Sequence, residues 1–202
     1  MRSNQAKVLT IVLAAGESRR MGVPKLLLPV FGTTMLRHTV MSVMELGPTI
    51  VVTGAYSEQT RRHLKDMQGI TFAHNPRWRE GMSSSLAVGV RVASMFRPLG
   101  YLVTVADQPG MSIEGLEAHC NEFVVAPDSI VATAYPEGPG VPAIFPARLT
   151  SALVSAEGKI GARRLIRQEG EMVRVIHFQV PPQDVDTPED YERLTGHRPP
   201  GL

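Results

Sequence analysis

Short apolar runs alternate along this chain with segments of helical period, and that alternation constrains the fold more than any other feature. Residues 8–13 (VLTIVL), 49–53, 70–73, 102–106, 130–134, 143–145 and 173–178 have strand length and are rich in Val, Ile and Ala. Near-continuous apolar strands of this kind suit a sheet covered on both faces. Between them, residues 34–46, 57–67, 83–95, 113–123 and 159–168 read as helices, with Leu36, Val40, Val43 and Met44 forming the inward stripe of the first. Strands joined through helices make right-handed crossovers. The expected fold is therefore α/β, a three-layer α/β/α sandwich around a mostly parallel sheet. A length of 202 residues fits a single domain over 1–202 with a flexible tail from 196. The densest Gly/Pro stretch, 136–146, reads as a loop and turn.

Composition narrows the function class. A chain that is 43% hydrophobic and 20% charged is neither disordered nor collagen-like. Cys120 is its one cysteine, so no intramolecular disulfide forms and a reducing compartment is expected. No apolar stretch reaches the ~18 residues of a membrane span, and the N-terminal segment does not read as a signal peptide; no membrane association and a cytoplasmic location are the expectations. The charge is uneven. The first hundred residues carry 13 Lys and Arg against 5 Asp and Glu, and the remainder carry 8 against 14. A basic first half suggests an anionic ligand and an acidic second half a metal. Nucleic acid is not expected, because no basic run reaches five residues and aromatics are only 5%.

In open α/β sheets, ligands bind beyond the carboxyl ends of the strands. The loop after the first run reads Leu13-Ala14-Ala15-Gly16-Glu17-Ser18-Arg19-Arg20-Met21-Gly22-Val23-Pro24-Lys25. Small residues at 14–16 let backbone amides approach an anion, and three cations lie within seven residues. The loop is not a Walker A motif, and the dinucleotide fingerprint Gly-x-Gly-x-x-Gly is absent, which argues against a dinucleotide-dependent oxidoreductase.

The run LAAGESRRMGVPKLLLP resembles the nucleotide loop of the sugar-nucleotide and cofactor nucleotidyltransferases, and matches their pattern L-A-A-G-x-S-x-R-M-G-x-x-K-x-L-L-P throughout. Three later segments are similar to the molybdenum cofactor cytidylyltransferases of the MobA-like kind. They are Gly81-Met82-Ser83-Ser84-Ser85-Leu86, Ala106-Asp107-Gln108-Pro109 and Asp184-Val185-Asp186-Thr187-Pro188-Glu189-Asp190. The matches follow in order from residue 8 to residue 191. The resemblance implies a nucleotidyltransferase fold of the Rossmann-like, glycosyltransferase-A-like kind. It also implies transfer of CMP from CTP to a phosphate-bearing molybdopterin-type cofactor with release of pyrophosphate, the product passing to a molybdoenzyme partner.

What the resemblance implies for individual residues agrees with their chemistry. Leu13, Ala14, Ala15 and Gly16 would hold the nucleotide through their backbone, and Arg20 and Lys25 would stabilise charge on the α-phosphate and pyrophosphate. Asp107 closes an apolar strand, and with Asp186 would hold Mg²⁺, or Mn²⁺, alongside phosphate oxygens. Asp186 or Thr187 also reads as a helix cap, with Pro188 in the first turn and Asp190 favouring the helix dipole. Thr53, Gly54, Gly81, Met82, Ser83 and Ser84 would line the nucleobase site, and the Ser-rich version goes with cytosine rather than guanine. Two departures from the family pattern, Val141 in Gly140–Phe145 and Lys159 before Gly161-Ala162-Arg163, fall in segments expected to face the acceptor. GTP as donor, a sugar or polyol phosphate as acceptor, and a non-catalytic cofactor carrier remain as rival readings. A carrier has no need of both cations and both aspartates.

The remaining residues read as ordinary. Cys120 is expected to be a buried or half-buried side chain rather than a nucleophile, the six histidines show no zinc-site spacing, and the ten methionines are expected in the core. Trp78, flanked by Arg77 and Arg79, could stack on a flat substrate.

Overall fold

The computed structural model describes residues 8–155 and 161–201. Its main sheet has seven strands and a short hairpin stands apart. In chain order the strands are β1 (Val8–Ala14), β2 (Pro29–Val30), β3 (Thr33–Thr34), β4 (Thr49–Thr53), β5 (Ile70–His74), β6 (Gly100–Val105), β7 (Ile130–Thr133), β8 (Gly140–Pro146) and β9 (Val173–Ile176). The helices are α1 (Met35–Met44), α2 (Ser57–His63), α3 (Met82–Ser94), α4 (Ile113–Val125), α5 (Thr150–Ser155), α6 (Gly161–Glu169) and α7 (Pro188–Thr195).

The main sheet runs β5-β4-β1-β6-β8-β7-β9, and β8 alone is antiparallel to its neighbours. The expected mostly parallel α/β sheet is therefore present. Alternation along β1 sorts its side chains between two cores. Leu9, Ile11 and Leu13 face α3, α5 and α6, whereas Val12 and Ala14 face α1 and α4. Gly89 in α3 permits the closest approach: a Cβ there would lie 2.6 Å from Ile11 Cγ2 and 2.9 Å from Val52 Cγ2. A third cluster of Met21, Leu28, Val30, Met35, Val185 and Tyr191 ties the loop after β1 to the segment entering α7.

Two boundaries differ from the sequence reading by four residues or more. The stretch 136–146 is loop only as far as residue 139; β8 starts at Gly140, and Pro142 sits where its pairing with β7 shifts register, its carbonyl accepting from Thr133 Oγ1 at 2.9 Å. α2 stops at His63, where Arg37 reaches across to donate to the His63 carbonyl and to Asp66, closing the chain into a turn. Past α7, Pro199 is buried and His197 N donates to Thr195 Oγ1.

Register positions the functional end. Ala14 pairs with Thr53, Thr53 with His74, and Leu13 with Val105. Four strands thus end along one line, and because β8 is reversed its first residue, Gly140, starts at this same rim.

Candidate active site

The loop after β1 is shaped by its own backbone. Ser18 takes a left-handed φ of 57°, its carbonyl accepts from the amides of Met21 and Gly22, and its Oγ accepts from Lys25 N at 3.2 Å. That turn sends the Met21 side chain into the third core cluster and leaves Arg20 at the surface. Lys25 follows in a short 3-10 turn and is only 8% exposed.

A buried ammonium requires anionic partners. Lys25 Nζ donates to Asp107 Oδ2 and to Asp186 Oδ1, each at 2.6 Å, and Arg20 Nη2 donates to Asp186 Oδ2 at 2.6 Å. Burial alone pulls the Lys25 pKa down. Attraction and hydrogen bonding from Asp107, then from Asp186, outweigh that and hold it above the ordinary lysine value. The two aspartates are far apart in sequence yet adjacent, since Val185 N donates to the Asp107 carbonyl at 2.9 Å. The sequence reading of 186–190 as a helix start holds. Thr187 is the N-cap of α7, Asp190 completes a capping box with it, and Pro188 occupies the first turn. Asp190 Oδ2 also accepts from Asp186 N, which leaves the Asp186 carboxylate directed to the rim.

Above this cluster lies a cleft of about 730 Å³. Of the residues singled out in the sequence, Arg20, Met82, Ser83, Asp107 and Asp186 line it, and Lys25 reaches the two carboxylates from below. Leu13, Ala14 and Ala15 are buried at the strand end, whereas Gly16 is exposed and a Cβ there would meet nothing within 4 Å. Gly54 supports the loop from beside it: a Cβ would lie 2.5 Å from the Ala15 carbonyl and 2.8 Å from Trp78 Cβ. Gly81 takes a φ of 113°, open to glycine and strained for other residues, as the chain turns into α3.

The serine-rich segment divides into two. Ser83 is a cleft residue. Ser84 instead serves the scaffold, accepting from Asn75 Nδ2 at 2.8 Å and meeting the carbonyls of Arg77 and Gly81. Thr53, fully buried, spends its hydroxyl on Ser57 at 3.0 Å. Trp78 packs by its Cβ against Gly54 and under the Arg79 guanidinium, 4.3 Å from the ring centre, and is not a cleft residue. Cys120 lies half-buried in α4, its thiol pushed up to about 11 by burial and then by Glu117, which disfavours the thiolate.

Sequence reasoning missed a polar network on the cleft wall. Gln108 Nε2 donates to Asp184 Oδ1 at 2.8 Å and to Tyr135 OH at 3.2 Å, and Tyr135 OH donates to the Val141 carbonyl at 2.7 Å. Desolvation, then the negative charge of Asp107, raises the Asp184 pKa. Burial pushes the Tyr135 hydroxyl up to about 12, so it remains a neutral donor. Gln108 and Asp184 stood inside recognised motifs, but no local pattern pairs them with Tyr135, which arrives from the loop between β7 and β8.

Among the described residues no group of three or more His, Cys, Asp and Glu is arranged as a closed metal cage. Asp107 and Asp186 nevertheless direct one oxygen each at a single cation, the Lys25 ammonium. Two hard oxygen donors on a partly exposed rim fit an ion that takes one or two carboxylates and fills its shell with phosphate and water.

The MobA-like NTP transferase domain matches residues 10–173. The chain belongs to that family. It is 28% identical over 205 residues to the purine catabolism protein PucB of Bacillus subtilis, covering 93% of this chain and 95% of PucB. Rv0371c of Mycobacterium tuberculosis superposes with a TM-score of 0.80 at 28% identity, covering 96% of this chain and 100% of that one. A second Rv0371c structure, a complex with manganese, gives 0.74 at 26% identity over 95% and 99%. A nucleotidyl transferase from Methanothermobacter gives 0.80 at 26% identity over 95% and 97%. The α/β nucleotidyltransferase fold is common to these structures, and the family makes the chain a transferase of nucleotidyl groups.

Proposed function

We propose that this chain transfers CMP from CTP to a phosphate-bearing molybdopterin-type cofactor. The observation that carries the reading is the cluster of Arg20, Lys25, Asp107 and Asp186 at the carboxyl rim, beneath a cleft large enough for two substrates. An oxygen of the acceptor phosphate attacks the α-phosphorus of CTP. The new P–O bond forms as the bond to the bridging α–β oxygen breaks, and pyrophosphate leaves with that electron pair.

The chain's own contribution is positioning and charge neutralisation. Backbone amides at Ala14, Ala15 and Gly16 bind the nucleotide phosphates, and Met82 and Ser83 meet the base from the start of α3. Arg20 and Lys25 stabilise the charge that grows on the α-phosphate and the departing pyrophosphate. Asp107 and Asp186 would hold Mg²⁺ or Mn²⁺; manganese in the related Rv0371c structure supports a divalent ion. Such an ion supplies further neutralisation of the triphosphate. With the carboxylate charge held by such an ion, Lys25 would be free to contact the nucleotide phosphates.

Calorimetric titration with CTP, GTP, ATP and UTP, each with and without Mg²⁺, tests the donor. The proposal expects a Mg²⁺-dependent preference for CTP. A preference for GTP would make Ser83 a misread determinant, and binding of no nucleotide would favour a cofactor carrier.

A further inference from the structure

The loop after β1 is held from outside by the chain leaving β4. Ala55 N donates to the Ala15 carbonyl at 3.1 Å, and Tyr56 OH donates to the Glu17 carbonyl at 3.1 Å. With Gly54 packed against Ala15, residues 54–56 form a strap that fixes the loop on each side of the exposed Gly16. Tyr56 is not the residue its place on the chain favours. It is the N-cap of α2, where Ser, Thr, Asp or Asn would accept from the first helical amides, and its side chain makes no capping bond. The half-buried ring crosses to the loop instead.

The direction of these bonds decides what the loop presents. A trans peptide is planar, with its C=O and N–H pointing opposite ways. Turning the Ala15 carbonyl to Ala55 therefore turns the Gly16 amide away from the strap, and turning the Glu17 carbonyl to Tyr56 does the same for the Ser18 amide. Neither amide has an acceptor among the described residues. Two such N–H groups, one residue apart on an exposed turn, suit the oxygens of an anion. The Ser18 carbonyl is fixed separately, by the amides of Met21 and Gly22. The Glu17 carbonyl has no donor but Tyr56 among the described residues, so the orientation of that peptide depends on one hydroxyl.

We infer that Tyr56 is a positioning residue for the transfer reaction, whose hydroxyl acts through the Glu17 carbonyl to aim the Ser18 amide at the nucleotide phosphates. The inference takes from the nucleotidyl-transfer reading only that this loop receives phosphates. A loop already held in its binding orientation gives up less freedom when the ligand arrives. Without the hydroxyl the Glu17 carbonyl turns to water, and the amide on its far side leaves the phosphate.

Wild type and Tyr56→Phe, which keeps the ring and removes the hydroxyl, are titrated calorimetrically with CTP and with inorganic tripolyphosphate, both in Mg²⁺. Tyr56→Phe should weaken the two ligands by the same factor, about three- to tenfold, with the circular dichroism unchanged. In ¹⁵N-resolved spectra the Ser18 amide proton should move downfield as tripolyphosphate saturates the wild type, and move less in the variant. In the transfer assay KM for CTP should rise by that factor while kcat and KM for the acceptor hold, a split that general weakening of the fold would not give. Equal affinity of the two proteins for tripolyphosphate would overturn the inference. So would a loss confined to CTP, which would place Tyr56 at the base or ribose. A wild type that binds neither ligand would overturn both this inference and the transfer reading. Tripolyphosphate binding weakened as stated, in a chain that transfers no nucleotide, would sink the transfer reading and leave the role of Tyr56 standing.

Discussion

Replacing Lys25 with Ala removes the cation on which the site is built, and its cost can be worked from the geometry. Two hydrogen bonds of 2.6 Å to carboxylates are lost. Charge-assisted bonds contribute about 1.5–3 kcal/mol each. The orphaned Asp107 and Asp186 side chains are 23% and 22% exposed, so water recovers part of this, and Arg20 still holds one oxygen of Asp186. A net loss of about 2–4 kcal/mol follows. With a urea m-value near the upper end of about 1–3 kcal/mol per M, the unfolding midpoint should fall by roughly 1 M. The Lys25 pKa is raised in the folded chain, so its contribution is fully present below the ordinary value of 10.5 and is lost only as pH climbs through the higher folded value. The gap between wild type and variant should stay constant from neutral pH to about 10 and close above it. Added Mn²⁺ should stabilise Lys25→Ala more than wild type, since the ion no longer competes with an ammonium for the two carboxylates. A midpoint within about 0.2 M of wild type would refute the reasoning.

Other perturbations probe the site separately. Asp107→Ala should lower turnover on the order of 100-fold or more with the circular dichroism of the fold retained; full activity would remove Asp107 from the reaction. Gly54→Ala forces a Cβ against the Ala15 backbone and Trp78, so thermal unfolding should show a loss of about 1–3 kcal/mol together with weaker CTP binding. Asp184→Asn keeps an oxygen to accept from Gln108 and removes a charge disfavoured by desolvation and by Asp107. The folded pKa of Asp184 is raised, so the ionised form costs stability above its unfolded pKa. The variant should be more stable than wild type at neutral pH, with the gain vanishing as the pH falls below about 4; a gain independent of pH would contradict this cause.

Much of this was legible in the sequence because the signals are local. Five residues from 49 to 53 read as a strand and form one with the same bounds, and the β1 loop carries its conformation in Ser18 and its charge in Arg20 and Lys25. Thr187-Pro188-Glu189-Asp190 announced a capped helix, which it is. What stayed hidden depends on distant parts of the chain. The β2–β3 hairpin has two-residue strands, too short for any periodicity. β8 was obscured by Gly140 and Pro142, and its reversed direction follows from pairing with both β6 and β7. The roles of Ser83 and Ser84 were inseparable in sequence; Asn75, just past β5, draws Ser84 into the scaffold, whereas Ser83 lines the cleft. Lys159 lies outside the described residues.

The most direct test of the central claim is transfer itself. The purified chain is mixed with [α-³²P]CTP, Mg²⁺ and phosphate-bearing molybdenum cofactor, and both label and pyrophosphate are followed. The account predicts label moving to the cofactor with one pyrophosphate released per transfer, strongly reduced in Asp107→Ala. Pyrophosphate released without labelled cofactor, or faster labelling from GTP than from CTP, would contradict it.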